Sequence, residues 1–579
     1  VEERKSLFEL FTEHQQCMNR RSFLKTCGAS MLLASLPVNI MQAFAEEKVE
    51  IHSGATPDHV MLSWTMDPKT TQTVVWRAAD SNAKGTIQWV KTEEFKHSSW
   101  EHADKAVATN DILHTEFGDV TVQYATIEGL KPSTHYMYRV QDGKDWSDPC
   151  DFVTQPSAKQ PFKFLVFGDS QSGLPKNPEY GPWRTTIHNA YQAHSDAVFF
   201  MVVGDLVEVG QDYRHWNNWY AAAKDVAEKI PHMAVPGNHE TYDVPEENHS
   251  VKPIYYTKQN KLPANGPDAL IGQVYSFDYG DVHFSILDSQ ADEEGQYVPN
   301  MLQLEAEWLD NDLAATNQKW KIVLFHKTPY YNKAVRANEK LKAVILPVID
   351  KHHVDVVING HDHGYSRTYP IYQDSFVDSP AQGTVYIVAG RSGNKFYTDL
   401  SQKIWDAFFH DPQAEPNYLV VEAMGDQLVI NAYTQSGELI ERYSIDKVSG
   451  KDSPLTMLPE RSQQPRLVIW GNMLQTPLLS AVPQKIADAW HVPLRAFFEF
   501  IGASVDIMGG GRIAVKYQKT NLIFQMNDTQ VIVNDQPSVL QYPLATVQGA
   551  TLIAAEDLKK LLGFGYRYDA KLNMLFLAK

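Results

Sequence analysis

The sequence predicts a multidomain chain: an all-β sandwich, then an α/β layered sandwich, then a small α+β domain. Three observations carry that prediction. The chain has 579 residues, beyond the size at which a single hydrophobic core keeps growing. Its hydrophobic patterning changes character twice, and each change coincides with a polar, proline-bearing link. Apolar residues make up 43% and charged residues 21%, the balance of a folded chain. The formal charge of -18 makes the surface repel phosphate backbones, which excludes nucleic acid as a stable partner.

Residues 1–45 read as a leader. Arg20, Arg21, Ser22, Phe23, Leu24 and Lys25 precede a modest apolar run over 29–40, and Ala43, Phe44 and Ala45 follow. This order of basic, apolar and small residues resembles a twin-arginine export signal. The resemblance implies export in the folded state and a periplasmic, cell-surface or secreted location. Pro37 and Asn39 break the apolar run, which is short for a membrane span. Cys17 and Cys27 fall in the leader, leaving Cys150 alone afterwards. No internal disulfide or cysteine-ligated metal is then expected in the body.

Residues 46–155 carry short alternating runs, such as 59–64 and 72–77, separated by Pro, Gly, Asp and Ser. Regular short strands with turn signals predict a β-sandwich. The stretch 124–140, with Gly129, Leu130, Pro132, Tyr136 and Tyr138, resembles the late-strand corner of a fibronectin type III module and the N-terminal domain of purple acid phosphatases. No catalytic constellation occurs here, so a scaffold role is expected.

After the link at 155–161, apolar runs alternate with helix-like stretches over 160–446. Strands are expected at 162–167, 197–203, 233–235, 282–287, 322–325, 354–358 and 385–388, several buried on both faces. The clearest helix covers 304–314, with Leu304, Trp308, Leu309 and Leu313 on one side. A Ser-, Pro-, Gln- and Lys-rich linker, 447–466, then leads to the tail, 467–579. There a short amphipathic helix followed by a Gly-led hairpin occurs around Phe497 and again around Leu558, which suggests an internal repeat. The tail resembles the copper amine oxidase N-terminal-like (stalk) domain. His491 stands without Cys, His or Met partners at useful spacing, so a structural or binding duty is expected, including contact with the cell envelope.

The polar residues after the central strands carry the chemistry. Gly168 leads to Asp169 and Gln171, Gly204 to Asp205, and Gly237 to Asn238, His239 and Glu240. The run ending at Phe325 delivers His326, and Gly360 leads to His361 and His363. Open α/β sheets place their ligands at such strand ends. Carboxylate, amide and imidazole donors suit oxygen- and nitrogen-preferring ions, and one carboxylate between two donor sets can bridge a metal pair.

In this order the series resembles the calcineurin-like metallophosphoesterase signature, and with the preceding sandwich it resembles the purple acid phosphatases and their bacterial kin. That resemblance implies an α/β four-layer sandwich holding two divalent or trivalent ions, Fe, Mn or Zn. Asp169, Gln171, Asp205 and His363 would hold one; Asp205, Asn238, His326 and His361 would hold the other. It also implies that His239 sits beside the metals and stabilises phosphoryl oxygens or protonates the leaving group. Glu240 would hold the His239 imidazole in its useful tautomer. A hydroxide held at the metals would attack phosphorus in line. Two departures stand out. Gln171 replaces the usual histidine of the first motif, and Glu208 stands where purple acid phosphatases have a tyrosine, which makes a purple ferric centre unexpected.

Taken singly, these motifs are weak: Gly-Asp is a common turn, and a His-x-His pair is as easily a loop feature. Their joint order after apolar runs is what points to a site. His283 reads as packed or at the surface, and His352 and His353 read as solvated. Tyr365, Arg367 and Arg391 are each balanced between substrate contact and loop bracing. The leading expectation is an exported phosphomonoesterase acting on small phosphorylated substrates. A phosphodiesterase or nucleotide hydrolase would use the same core. A surface binding protein with an inactive phosphoesterase domain is the alternative from another class.

Overall fold

The computed structural model describes residues 52–579, apart from 55, 80–83, 96–99, 144, 245–248, 337 and 475–480. The leader read over 1–45 therefore lies outside the described residues. Residues 51–579 form one compact unit, and no described helix is long and apolar enough to cross a membrane.

The first domain is a sandwich of two antiparallel four-stranded sheets. One runs Asp58–Ser63, Gln72–Ala78, Gly118–Ile127, Thr109–Thr115; the other runs Asp104–Val107, Thr86–Lys91, His135–Gln141, Cys150–Val153. Alternation drives it: Tyr136, Tyr138 and Val140 point inward from His135–Gln141 and meet Leu62, Val74, Trp76 and Ile87. The Tyr136 hydroxyl accepts the Lys131 backbone N–H at 2.9 Å, a tyrosine corner of the immunoglobulin-like kind. The edge strand Asp58–Ser63 does not end free. Leu62 exchanges backbone hydrogen bonds with Ala227 and His232 at 2.9 and 2.8 Å, so the next domain covers it.

That second domain has two central sheets. The six-stranded sheet is ordered Phe200–Val202, Phe162–Phe167, Asn417–Met424, Gln427–Thr434, Leu439–Asp446, Lys451–Ser453. The seven-stranded sheet is ordered Tyr275–Tyr279, Val282–Ile286, Trp320–Leu324, Val356–Asn359, Val385–Ala389, Tyr365–Thr368, Asp406–His410. Phe164 and Phe199 meet Phe284 across the two sheets at 5.3 and 5.6 Å. The helices Gly181–Ala193 and Tyr213–Ala223 pack together, as do Met301–Ala315 and Glu339–Lys351. Parallel pairing places Phe162–Phe167 beside Phe200–Val202, and Trp320–Leu324 beside Val356–Asn359. Their carboxyl ends therefore open on one side.

One expected strand does not form. Residues 233–235 make only isolated parallel bridges, at His232 and Val235, to the strand before them. Pro231 and Pro236 flank the segment, and a residue without an N–H cannot extend the ladder.

The C-terminal domain is β-rich. The helix Leu494–Phe500 is followed by the hairpin Ser504–Met508/Arg512–Tyr517, and the helix Ala555–Leu562 by Gly565–Asp569/Met574–Ala578. The strands entering these helices, Ala489–Pro493 and Ala550–Ala554, pair antiparallel with each other, so the two repeats close on one another. Apolar residues of this domain and of the second domain belong to one contiguous core that includes Trp405 and Trp470. His491 is buried, with Nδ1 toward the Ala489 carbonyl at 3.1 Å.

Candidate metal centre

The loops after the central strands bring five donor side chains together, those of Asp169, Asp205, His326, His361 and His363, and they do so with strained backbone. Asp169, Asp205, His361 and His363 have positive φ, at 28°, 52°, 74° and 61°. Each such non-glycine residue costs about 1–3 kcal/mol, which is why they collect at functional sites. Close approach leaves no room for side chains between the loops. A Cβ on Gly204 would lie 2.3 Å from His326 Nδ1, and one on Gly237 would lie 2.2 Å from the Asp205 amide nitrogen.

Two groups of metal-type donors result, and they share one residue. Asp169, Asp205 and His363 present ligand atoms within 4.8 Å of one another, and Asp205, His326 and His361 do the same. His363 Nε2 lies 3.2 Å from Asp169 Oδ1, and His326 Nε2 lies 3.1 Å from Asp205 Oδ2 and 3.2 Å from His361 Nδ1. The outward nitrogens are already held: His326 Nδ1 by the Val203 carbonyl at 2.8 Å, His363 Nδ1 by the Lys395 carbonyl at 2.9 Å. Such bonds fix the tautomer that leaves the inward nitrogen free for a metal. Asp169 takes the His361 backbone N–H on both oxygens, at 3.0 and 2.9 Å, which locks the two motifs together.

Two buried amides expected at the centre each keep an unpartnered oxygen. Gln171 donates from Nε2 to Asp205 Oδ2 at 3.0 Å, leaving Oε1 buried without a partner, and Asn238 donates from Nδ2 to the Tyr242 hydroxyl at 2.7 Å, leaving Oδ1 in the same state. His363 Nε2 is likewise buried without a hydrogen-bond partner. Orphaned buried acceptors are costly; one cation would satisfy Gln171 and His363, and a second would satisfy Asn238. Gln171 would turn its amide so that oxygen, like the carboxylate, faces the charge. The donor set thus fits a metal pair.

Electrostatics agree. Burial alone would raise Asp205, but the imidazoles of His326 and His239 hold it well below the usual carboxylate range. Burial lowers His326, yet the carboxylates of Asp205 and Asp169 push it up to about 9. The pocket favours positive charge at its centre.

His239 lies beside this centre, its Nε2 3.8 Å from Asp205 Oδ2. Glu240 does not hold it. The Glu240 carboxylate instead accepts backbone N–H groups of Gly237, Asp205 and Val207 at 2.7, 2.9 and 3.2 Å, while the Glu208 carbonyl takes His239 Nδ1 at 2.6 Å. The expected orienting role of Glu240 is therefore corrected: the short helical turn Asn238–Thr241 aims its carboxylate back at its own loop. Burial and Asp205 push Glu240 up to about 8.

Other residues also find their places. Tyr365 and Arg367 both bond Glu441, and Arg391 holds the carbonyls of Pro412, Gly393 and Gln413. All three are braces. His283 is packed between Asp278 and Asp312 at 2.7 and 2.9 Å. His352, read as solvated, bonds Asp310 at 2.6 Å. Sequence reasoning missed Lys395, whose ammonium reaches His239 Nε2 at 2.9 Å and Glu208 Oε1 at 3.0 Å. It also missed Arg336, which bonds Asp362 Oδ1 and the His361 carbonyl at 2.7 and 2.8 Å. Neither stands in a motif; only Asn394 just before Lys395, in a Gly-rich loop, signalled a turn there.

Comparison with known proteins agrees with this geometry. Residues 162–365 match the calcineurin-like phosphoesterase family, residues 57–154 the purple acid phosphatase N-terminal domain, and residues 474–577 the copper amine oxidase N-terminal domain. Probable purple acid phosphatase 20 of Arabidopsis thaliana is 26% identical over 409 residues, covering 69% of this chain and 84% of its own length. Acid phosphatase type 7 of Mus musculus is 25% identical, over 58% of this chain and 78% of its own. Probable inactive purple acid phosphatase 1 of Arabidopsis thaliana is 26% identical, over 56% and 58%. Among solved structures, purple acid phosphatase PPD1 from yellow lupin (Lupinus luteus) seeds shares the fold, with a TM-score of 0.55 and 18% identity over 68% of this chain and 74% of its own. Residues 162–365 are thus a calcineurin-like phosphoesterase domain behind a purple acid phosphatase-like sandwich, which makes the chain a metal-dependent hydrolase of phosphoric esters.

Proposed function

We propose that the chain is an exported phosphatase that hydrolyses monoesters of small phosphorylated molecules at a two-metal centre. Asp169, Gln171, Asp205 and His363 hold one ion; Asp205, Asn238, His326 and His361 hold the other. The observation that carries this reading is Asp205 standing in both donor groups, with orphaned acceptors on Gln171 and Asn238 facing no protein donor. When bound, two ions supply Lewis acidity that activates a water and neutralises charge on the phosphoryl group. The protein's own residues do the positioning. The Val203 and Lys395 carbonyls fix two imidazoles, and His239 stands next to Asp205 with its Nε2 met by the Lys395 ammonium.

Glu208 occupies the tyrosine position of the purple enzymes, and its carboxylate is taken by the Gly173 N–H at 2.9 Å and by Lys395. No phenolate is offered at that position, which favours Mn, Zn or Fe(II) over a firmly held ferric ion. Export rests on the twin-arginine-like leader, and the C-terminal domain is a candidate for contact with the cell envelope. Acidic conditions for activity are suggested by the relative named an acid phosphatase.

Two relatives are named as probably inactive, which keeps the surface-binding reading in view. The test is total metal per chain on protein purified without chelator, with hydrolysis of an aryl phosphate before and after metal removal. About two ions per chain, with activity lost on chelation and restored by Mn, Zn or Fe, is the expected result. Two ions with no turnover of monoester or diester would favour the binding protein, and no bound metal would refute the ligand assignment.

A further inference from the structure

We propose that Lys395 is a substrate-contacting cation that selects phosphate monoesters over diesters; this rests on the hydrolytic reading above. Lys395 is tied to the centre at both ends. Its backbone carbonyl accepts the His363 Nδ1–H at 2.9 Å, and its ammonium meets His239 Nε2 at 2.9 Å and Glu208 Oε1 at 3.0 Å. The loop cannot drift far: Gly173 lies under the Lys395 side chain so closely that a Cβ there would come within 3.1 Å of Lys395 Cβ, and Glu208 is itself held by the Gly173 N–H.

The hydrogen bonds decide which group offers a proton to the cleft. His239 Nδ1 faces the Glu208 carbonyl at 2.6 Å, and a carbonyl only accepts, so Nδ1 carries the hydrogen. Nε2 then carries the lone pair, which the Lys395 ammonium occupies. In this arrangement the cation presented beside His239 is the lysine. An ammonium has three donors; one goes to Glu208 and one to His239, and the side chain is 20% exposed, leaving the third for a ligand.

A monoester dianion has three non-bridging oxygens. Two can span a metal pair, and the third, still charged, gains from a fixed ammonium in a pocket of low dielectric. In a diester that third oxygen bears an organic group and gains nothing. Lys395 therefore contributes to one substrate class and not the other.

The test uses the metal-loaded full chain with Lys395→Met, Lys395→Gln and Lys395→Arg. kcat/KM is measured for an aryl phosphate and a bis-aryl phosphate, Kd for inorganic phosphate by calorimetry, and metal per chain by elemental analysis. Lys395→Met and Lys395→Gln should lower monoester kcat/KM and weaken phosphate binding on the order of ten- to one-hundredfold, with diester hydrolysis within about threefold and metal content unchanged. Lys395→Arg, which keeps the charge, should recover most of the loss. An equal fall for both esters, no change for either, or metal loss in both neutral variants would overturn the proposal and leave Lys395 a brace. If the parent protein turned over neither ester, the hydrolytic reading would fall, and the phosphate Kd alone would decide Lys395: unchanged on neutralisation, it overturns the role.

Discussion

The two halves of the proposed centre share Asp205 but differ in what surrounds it. The half with Asp169, Gln171 and His363 has two carboxylates and one imidazole; the half with Asn238, His326 and His361 has the shared carboxylate and two imidazoles. Hard, more highly charged ions favour the first, and borderline ions favour the second. The supports differ as well. The first half is strapped by the loop carrying Lys395. The second is propped from behind by a buried polar layer: Ser289 accepts the Lys327 N–H beside His326 at 2.9 Å, and Gln290 donates to the Pro236 carbonyl at 3.3 Å. Similar strand ends can thus present sites of different charge, because the loops and not the strands choose the donors.

The largest effect should follow from breaking what the halves share. Asp205→Asn should reduce bound metal from about two ions to below one and lower kcat/KM by roughly a thousandfold or more, while circular dichroism shows an intact fold. His361→Ala should cost one ion and leave the other in place. Equal metal loss in both variants would mean that the halves do not bind independently.

A smaller effect should sharpen the contrast in donors. Gln171→His replaces a neutral amide by an imidazole in the first half and should tighten that ion on the order of tenfold. Chelator competition measures it; a change in the second ion instead would reverse the assignment.

The smallest effect concerns the prop. Asp288 and Glu294 are buried, and Gln273 Nε2 donates to both, at 2.6 and 3.0 Å. Burial pushes Asp288 up to about 6; burial and then Asp288 push Glu294 up to about 10. Both values lie above those of an unfolded chain, so the native state binds more protons and stability falls as pH rises. It is fullest below about pH 4, declining through about 6 for Asp288 and toward 10 for Glu294. Glu294→Gln should therefore flatten the loss of Tm between neutral and alkaline pH by a few degrees. An unchanged slope would show that this layer is not held neutral.

The candidate site was largely legible because most of its donors follow an apolar run that forms a buried strand, as at Phe162–Phe167 before Asp169 and Trp320–Leu324 before His326. The strand expected at 233–235 was not, since its prolines outweigh its apolar residues. Glu240 was misread because adjacency to His239 suggested contact, whereas a tight helical turn points neighbouring side chains apart. Arg367 and Arg391 stayed undecided until Glu441 and the Pro412 carbonyl came into contact with them across the fold.

The sequence by itself determined which donors exist and the order in which strands deliver them, because alternation, apolar runs and glycine turns are local properties of the chain. Only the tertiary structure decided which nitrogen of each imidazole faces the centre and which lysine joins His239. Those depend on the Val203 and Lys395 carbonyls and on the approach of residues 156 positions apart, and no local pattern encodes a hydrogen bond made between distant loops.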